Sequence, residues 1–176
     1  MPKRDGKYNG RVGEHYALYT LIRKRRDCNA VLASPNTDTV DIHVADKVGK
    51  PFTVQVKTKT NSHRWRLDRR HEHIEDPGLF YAFVDLGWDF GVDFDVEKPK
   101  YNPPDIKEPP ELFVVPSEIV AKAVSVSHQA WLRNGTSRKD GDQRDIFYTY
   151  PSRFGEVEGF PACWMEKYRD DWTQLQ

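Results

Sequence analysis

The chain has 176 residues, with 27 Lys and Arg against 27 Asp and Glu, 12% aromatic residues and a mean hydropathy of −0.78. That aromatic content argues against a disordered chain, and no apolar run approaches membrane-spanning length. A formal net charge of zero gives no bulk electrostatic support for a polyanionic partner.

The length suits one ordinary domain, residues 1–176, able to bury a core. The basic, polar N-terminus is not a secretory leader. Cys28 and Cys163 lie far apart without CxxC spacing, which fits free thiols in a reducing cytoplasm.

Residues 1–9 read as a basic arm. Residues 10–26, GRVGEHYALYTLIRKRR, predict a helix with a stripe of Glu14, Ala17, Leu18 and Leu21. Its terminal arginines and Lys24 suit the negative end of the helix dipole. Glu14 stands in line with the apolar stripe, and a carboxylate aimed there needs a partner. Residues 30–33 form a short apolar strand that ends at Ser34-Pro35-Asn36.

Residues 37–59, TDTVDIHVADKVGKPFTVQVKTK, predict two strands and a Gly-containing turn. Val40, Ile42 and Val44 alternate with Asp41, His43 and Ala45. Phe52, Val54, Val56 and Thr58 alternate with Thr53, Gln55, Lys57 and Lys59. Side chains change face with period two, so a shared apolar core puts Asp41, Gln55 and Lys57 together on the other face. An odd loop, 46–50 or 47–51, sets Asp41 against Gln55 or Lys57 at about 5 Å. The plain alternative is a solvated face with a surface ion pair.

Residues 61–73 read as a basic loop or short helix lying over the sheet, anchored by Trp65 and Leu67. Asp76-Pro77-Gly78 is a turn, and residues 79–86, LFYAFVDL, form a strand buried on both faces. Residues 87–110 are an acidic, proline-rich excursion. Residues 112–115 make another strand, and Pro116-Ser117-Glu118 opens a helix to about residue 133. Residues 134–146 read as polar loop. Residues 161–175 predict a last helix with Trp164, Tyr168 and Trp172 at i, i+4, i+8. The whole is an α/β layer arrangement with a mixed central sheet. Residues 1–26 and 47–72 are basic and 85–111 acidic, a distribution compatible with phosphate binding beside the hairpin.

No Gly-rich phosphate loop, GxSxG, CxxC or HExxH occurs. His71-Glu72-His73 lacks a third ligand and reads as a solvated loop. What remains is Glu14 on a helix, Asp41 on one strand and Gln55-Val56-Lys57 on the next. Asp41 offers a carboxylate, Gln55 an amide oxygen, Val56 its main-chain carbonyl, and Glu14 a direct or water-mediated contact. Those are the oxygen donors a hard cation selects. Lys57 can orient or deprotonate water.

Gly13-Glu14 in a first helix, then Asp41, then Gln55-Val56-Lys57 resembles the PD-(D/E)XK nuclease superfamily. The resemblance implies a restriction-endonuclease-like core over about residues 10–86: helix, three-stranded meander, helix or crossover, strand. Glu14, Asp41 and Lys57 match the signature roles, while Gln55 stands where the second acid usually does and removes one negative charge. LFYAFVDL, LFVVPSEIVAKAV and EKYRDDW also look like an uncharacterised bacterial branch of that superfamily.

The implied activity is a metal-dependent endonuclease acting on nucleic acid, DNA first, with Mg²⁺ as cofactor and Mn²⁺ as its substitute. Glu14, Asp41, Gln55 and the Val56 carbonyl would serve the metal and Lys57 the water. Lys59, Arg64, Arg66, Arg69 and Arg70 would contact phosphates, with Trp65 stacking on a base or, more plainly, packing in the core. A homodimer cutting both strands fits the same reading. Two other functions compete: a nucleic-acid-binding module with the fold but no catalysis, and a protein-interaction subunit of a defence system.

Overall fold

The computed structural model describes residues 6–34, 39–60, 63–87, 109–135 and 138–175. Helix α1 (Gly6–Lys24) leads into strands β1 (Cys28–Leu32), β2 (Ile42–Asp46) and β3 (Pro51–Lys59). Strand β4 (Arg64–Asp68) and a 3-10 turn (Arg69–Glu72) precede β5 (Leu79–Asp85) and β6 (Glu111–Pro116). Helix α2 (Ser117–Arg133) and strand β7 (Gln143–Phe147) follow. The central sheet runs β1-β2-β3-β5-β6, with β3 and β5 parallel and the other pairs antiparallel. A second, two-stranded sheet pairs β4 with β7. Helix, antiparallel meander, crossover and parallel strand follow the order of a restriction-endonuclease-like core.

The continuous apolar run in β5 has a direct cause: the central sheet is covered on both faces. Phe80, Ala82 and Val84 join one core with Val54, Val56, Ala17 and Leu21 of α1. Leu79, Tyr81 and Phe83 join the other with Trp65, Leu67, Ile146 and Val120 of α2. In β3, Phe52, Val54 and Val56 therefore face α1, and Gln55 and Lys57 face the second core. The β2–β3 ladder closes at Ala45 opposite Pro51 and leaves the odd loop 46–50. Asp46 Oδ1 accepts from the Val48 and Lys50 N–H groups there, and Gly49 supplies a φ of 82°.

Several expectations are corrected. Residues 6–9 belong to α1 rather than to an arm, and 1–5 lie outside the described residues. Of the span 61–73, expected to be a loop or short helix, Arg64–Asp68 is instead a strand whose Trp65 and Leu67 point inward, and only Arg69–Glu72 is a short 3-10 helix. Nor is 134–146 all loop, because Gln143–Phe147 supplies β4's partner. The excursion falls largely on 88–108, outside the described residues.

The last helix is absent. Glu166–Tyr168 and Trp172–Gln174 are 3-10 turns, and Cys163 and Asp170 take positive φ values of 55° and 47° that interrupt any α-helix. The aromatic spacing instead serves both faces: Trp164 and Tyr168 enter one core and Trp172 the other. Arg25 donates to the Trp172 and Leu175 carbonyls at 3.0 and 2.7 Å, which fixes this tail to the end of α1. Cys28 and Cys163 are free thiols. No described helix is long and apolar enough to cross a membrane.

Helix α1 reaches β3 through Gly13, where an added Cβ would collide with the Thr58 side chain. Glycine is needed here for close approach, not for its backbone freedom. Gly13→Ala is expected to destabilise the fold by about 1–3 kcal/mol through overpacking. In a Thr58→Ala background the cost should shrink, because the oxygen and methyl that clash are gone. Urea midpoints of the four proteins in a double-mutant cycle measure it.

Candidate active site

The site forms where the β2–β3 ladder stops. Ile42 pairs with Val54, and the Asp41 N–H donates to the Val54 carbonyl at 2.9 Å. The chain then turns to β1, with the Ala33 N–H on the Asp41 carbonyl at 2.8 Å. Val56 is two residues past Val54 and presents its N–H and carbonyl on the same edge of β3. Asp41 Oδ2 accepts from that N–H at 2.6 Å. A side chain thus replaces the missing ladder bond and aims a carboxylate into the gap. The ladder ends with Ile42 opposite Val54, and Asp41, whose N–H also bonds the Val54 carbonyl, stands just beyond it rather than in a pair with Gln55.

Glu14 comes from the other side. It sits one residue after Gly13, so the close approach of α1 to Thr58 carries it to the strand end. Burial and then the Asp41 charge push its carboxyl above the ordinary 4.5. Burial also raises Asp41 above 3.8, opposed by the Val56 N–H and Lys57. Lys57 lies below the ordinary 10.5 because burial disfavours its ammonium, against the pull of Asp41 and Asp68. Two carboxylates and one lysine therefore share a partly desolvated site, so the plain solvated-face alternative fails.

Gln55 is 5% exposed, and its Oε1 lies 3.2 Å from His71 Nε2. The His71 side chain is fully buried, with Nδ1 2.9 Å from Asp68 Oδ1. Burial first, then Lys57, holds the imidazole below its ordinary 6.5. For Asp68 burial opposes ionisation, but His71 and Arg70 together outweigh it and keep the carboxyl below 3.8. The Tyr81 ring lies 5.7 Å from His71, and its buried hydroxyl has no hydrogen-bond partner among the described residues.

Sequence reasoning missed Asp68 and His71 as site residues. Asp-x-x-His across a strand end, the spacing of a cap, was the available signal. His71-Glu72-His73 does not converge as a unit: Glu72 pairs with the buried Arg144, and His73 is exposed. No group of three His, Cys, Asp or Glu side chains placed to hold a metal occurs among the described residues.

The predicted phosphate contacts divide into two groups. Arg70 pairs with Asp68 at 3.0 Å and its charge reaches Lys57, while Arg66 is exposed on β4 and Arg69 lies 3.7 Å from Asp140. Lys59 is at the far end of β3, paired with Asp85 and 4.5 Å from the Trp65 ring. Arg64 is bound to Asp145 at 2.9 Å. Trp65 is a core residue, 1% exposed, donating to the Val84 carbonyl at 3.1 Å.

No protein-family model and no curated protein matches the chain. Among solved structures it is similar to a bacterial homing endonuclease, I-Ssp6803I, at 13% sequence identity and a TM-score of 0.47, over 97% of this chain and 91% of that one. At that identity and score the likeness carries neither site nor activity to this chain.

Asp41 has two separable roles, which two substitutions distinguish. Asp41→Ala strips the Val56 N–H of its acceptor and should cost about 1–3 kcal/mol. Asp41→Asn keeps an acceptor oxygen and removes a desolvated charge, so its urea midpoint should match or exceed the native one. The pH dependence follows from the raised Asp41 and Glu14. Between 3.8 or 4.5 and their higher folded values, the native state binds more protons than the unfolded chain. Their contribution to stability therefore falls as pH rises through that window. Asp41→Asn with Glu14→Gln should flatten that limb in denaturation curves taken across pH.

Proposed function

We propose that the protein is a metal-dependent endonuclease of the PD-(D/E)XK type, hydrolysing phosphodiester bonds of nucleic acid, with DNA as the first substrate to test. The observation that supports the reading is the desolvated Lys57 beside Asp41 at the end of the ladder, with Glu14 near enough to feel the Asp41 charge. The donor set is entirely oxygen, which suits Mg²⁺ or Mn²⁺. The cost that the Asp41 charge imposes on ionising Glu14 is what a bound cation would relieve. Asp41 keeps Oδ1 beyond the oxygen that meets Val56. Held by these groups, the cation would supply Lewis-acid polarisation of a phosphate oxygen.

Lys57, with its proton affinity lowered by burial, takes a proton from water as the water oxygen bonds to phosphorus. The P–O ester bond breaks and the leaving oxygen takes up a proton from solvent. Arg70, whose charge reaches Lys57, would hold a flanking phosphate, with Arg66, Arg69, Lys59 and Arg64 as further phosphate contacts on this reading. Two copies acting on opposite strands would cut a duplex.

One observation favours a second reading, a nucleic-acid-binding module without cleavage. Gln55 Oε1 is within hydrogen-bond distance of His71 Nε2, and an oxygen engaged there is lost to a cation.

Lys57→Met is expected to lower the Mg²⁺-dependent cleavage rate by about 10²-fold or more, with Mn²⁺ binding and the unfolding midpoint retained. In the native protein, cleavage should rise with pH through the depressed Lys57 value and level off before the ordinary 10.5. Absence of Mg²⁺- or Mn²⁺-dependent cleavage of duplex, branched and single-stranded DNA and of RNA would falsify the reading. Salt-sensitive DNA binding unchanged by EDTA would then support the module.

A further inference from the structure

The two ends of a primary amide have the same shape, and the hydrogen bonds around them decide which end faces which neighbour. For Gln55 the deciding neighbour is His71, whose two nitrogens have opposite partners. Nδ1 lies 2.9 Å from Asp68 Oδ1 and 3.2 Å from the Asp68 carbonyl oxygen, while Nε2 meets the Gln55 amide at 3.2 Å. Without a proton on Nδ1, two lone pairs would face each other across the shortest of these contacts. With a proton there, the contact is a charge-assisted hydrogen bond to a carboxylate.

The competing donor, the Asp68 N–H, is farther from Nδ1 at 3.3 Å. The ring has no solvent contact, so a second proton would bury a cation in a layer that water does not reach, and the neutral ring keeps its one proton on Nδ1 against Asp68. Nε2 is then a lone pair, and only an N–H can meet it.

We propose that His71 and Asp68 are positioning residues that turn the Gln55 amide nitrogen toward the histidine ring and so keep its oxygen for a cation. The orientation follows from hydrogen bonding alone; the cation rests on the endonuclease reading above. Asp68 fixes the proton on Nδ1, His71 transmits that choice through Nε2, and Gln55 answers with one end of its amide. The turn carrying both residues is itself anchored, since the buried Arg144 on β7 binds Glu72 and the Asp140 carboxylate.

The alternative tautomer, with the proton on Nε2, gives the opposite result. The imidazole N–H would then donate to the Gln55 oxygen, as a non-catalytic module would allow. One proton position therefore separates the two functional readings at this residue.

The first test needs no metal. Long-range ¹H–¹⁵N correlations on the ¹⁵N-histidine-labelled full chain distinguish the two neutral tautomers and the imidazolium. A neutral ring protonated at Nδ1 is expected for His71. A ring protonated at Nε2, or at both nitrogens, overturns the proposal.

The second test uses Asp68→Asn, which keeps an N-capping side chain but removes the charge that fixes the Nδ1 proton. The unfolding midpoint should barely move, while Mn²⁺ affinity read by electron paramagnetic resonance should fall about 10- to 100-fold. In a Gln55→Glu background both ends of the side chain are oxygens, so Asp68→Asn should change Mn²⁺ affinity by less than about threefold. An equal loss in both backgrounds overturns the proposal, because Asp68 would then act by charge alone. Native protein that binds no Mn²⁺ but shows the Nδ1-protonated ring overturns the endonuclease reading and upholds the amide orientation.

Discussion

The hydrogen bond from the Val56 N–H to Asp41 Oδ2 ties the sheet to the site. An inner strand of a sheet has no spare backbone donors, since each buried N–H must find an acceptor. Where β2 leaves β3, that acceptor has to come from a side chain, and a carboxylate serves well because a charge-assisted bond is short and strong. The same bond fixes the Asp41 carboxylate at the point where the departing strand leaves β3. Fold stability and the placing of a buried carboxylate are thus one requirement at this position.

The charges tolerate burial because of how the layers are stacked. Both faces of the central sheet are covered, α1 on one and α2 with β4 and β7 on the other. Period-two alternation sends Val54 and Val56 into the first layer and Gln55 and Lys57 toward the second. There they meet Asp68, His71 and Arg70 of the adjoining strand end and turn rather than more hydrocarbon. Glu14 arrives from the first layer, carried by Gly13 against Thr58. The site gathers groups from both faces because it lies at the one edge where a strand has peeled away.

That geometry also explains what could be read from the sequence. The hairpin, its odd loop, the doubly buried β5 and α2 are local patterns, each carried by alternation or helical spacing within about 20 residues. The shared face of Gln55 and Lys57 followed from parity, while Asp41 stands just past the end of the ladder, where parity no longer applies. Strand β4 hid because its partner β7 lies some 80 residues later and its outer face, Arg64, Arg66 and Asp68, looks like loop composition. His71 hid for the same reason: its burial depends on Arg144 and α2, which no local window contains. The terminal aromatics were correctly placed inside but assigned to the wrong element, since spacing cannot reveal that Cys163 and Asp170 take positive φ. Long-range pairing and backbone reversals are the two things a short pattern does not encode.

The amide at Gln55 is best understood through the charges around it. The Asp41 charge already raises the cost of ionising Glu14, and a third carboxylate at a position 5% exposed would bring a further cost. An amide avoids that cost but brings a different weakness: only one of its ends can bind a cation. A carboxylate needs no orienting partner, and an amide does. Asp68 supplies one while holding a negative charge one layer farther from the gap, still close enough to act on Lys57. On the proposed endonuclease reading, the charge that position 55 lacks is therefore displaced rather than deleted. That charge sits behind the histidine, and the histidine converts it into direction.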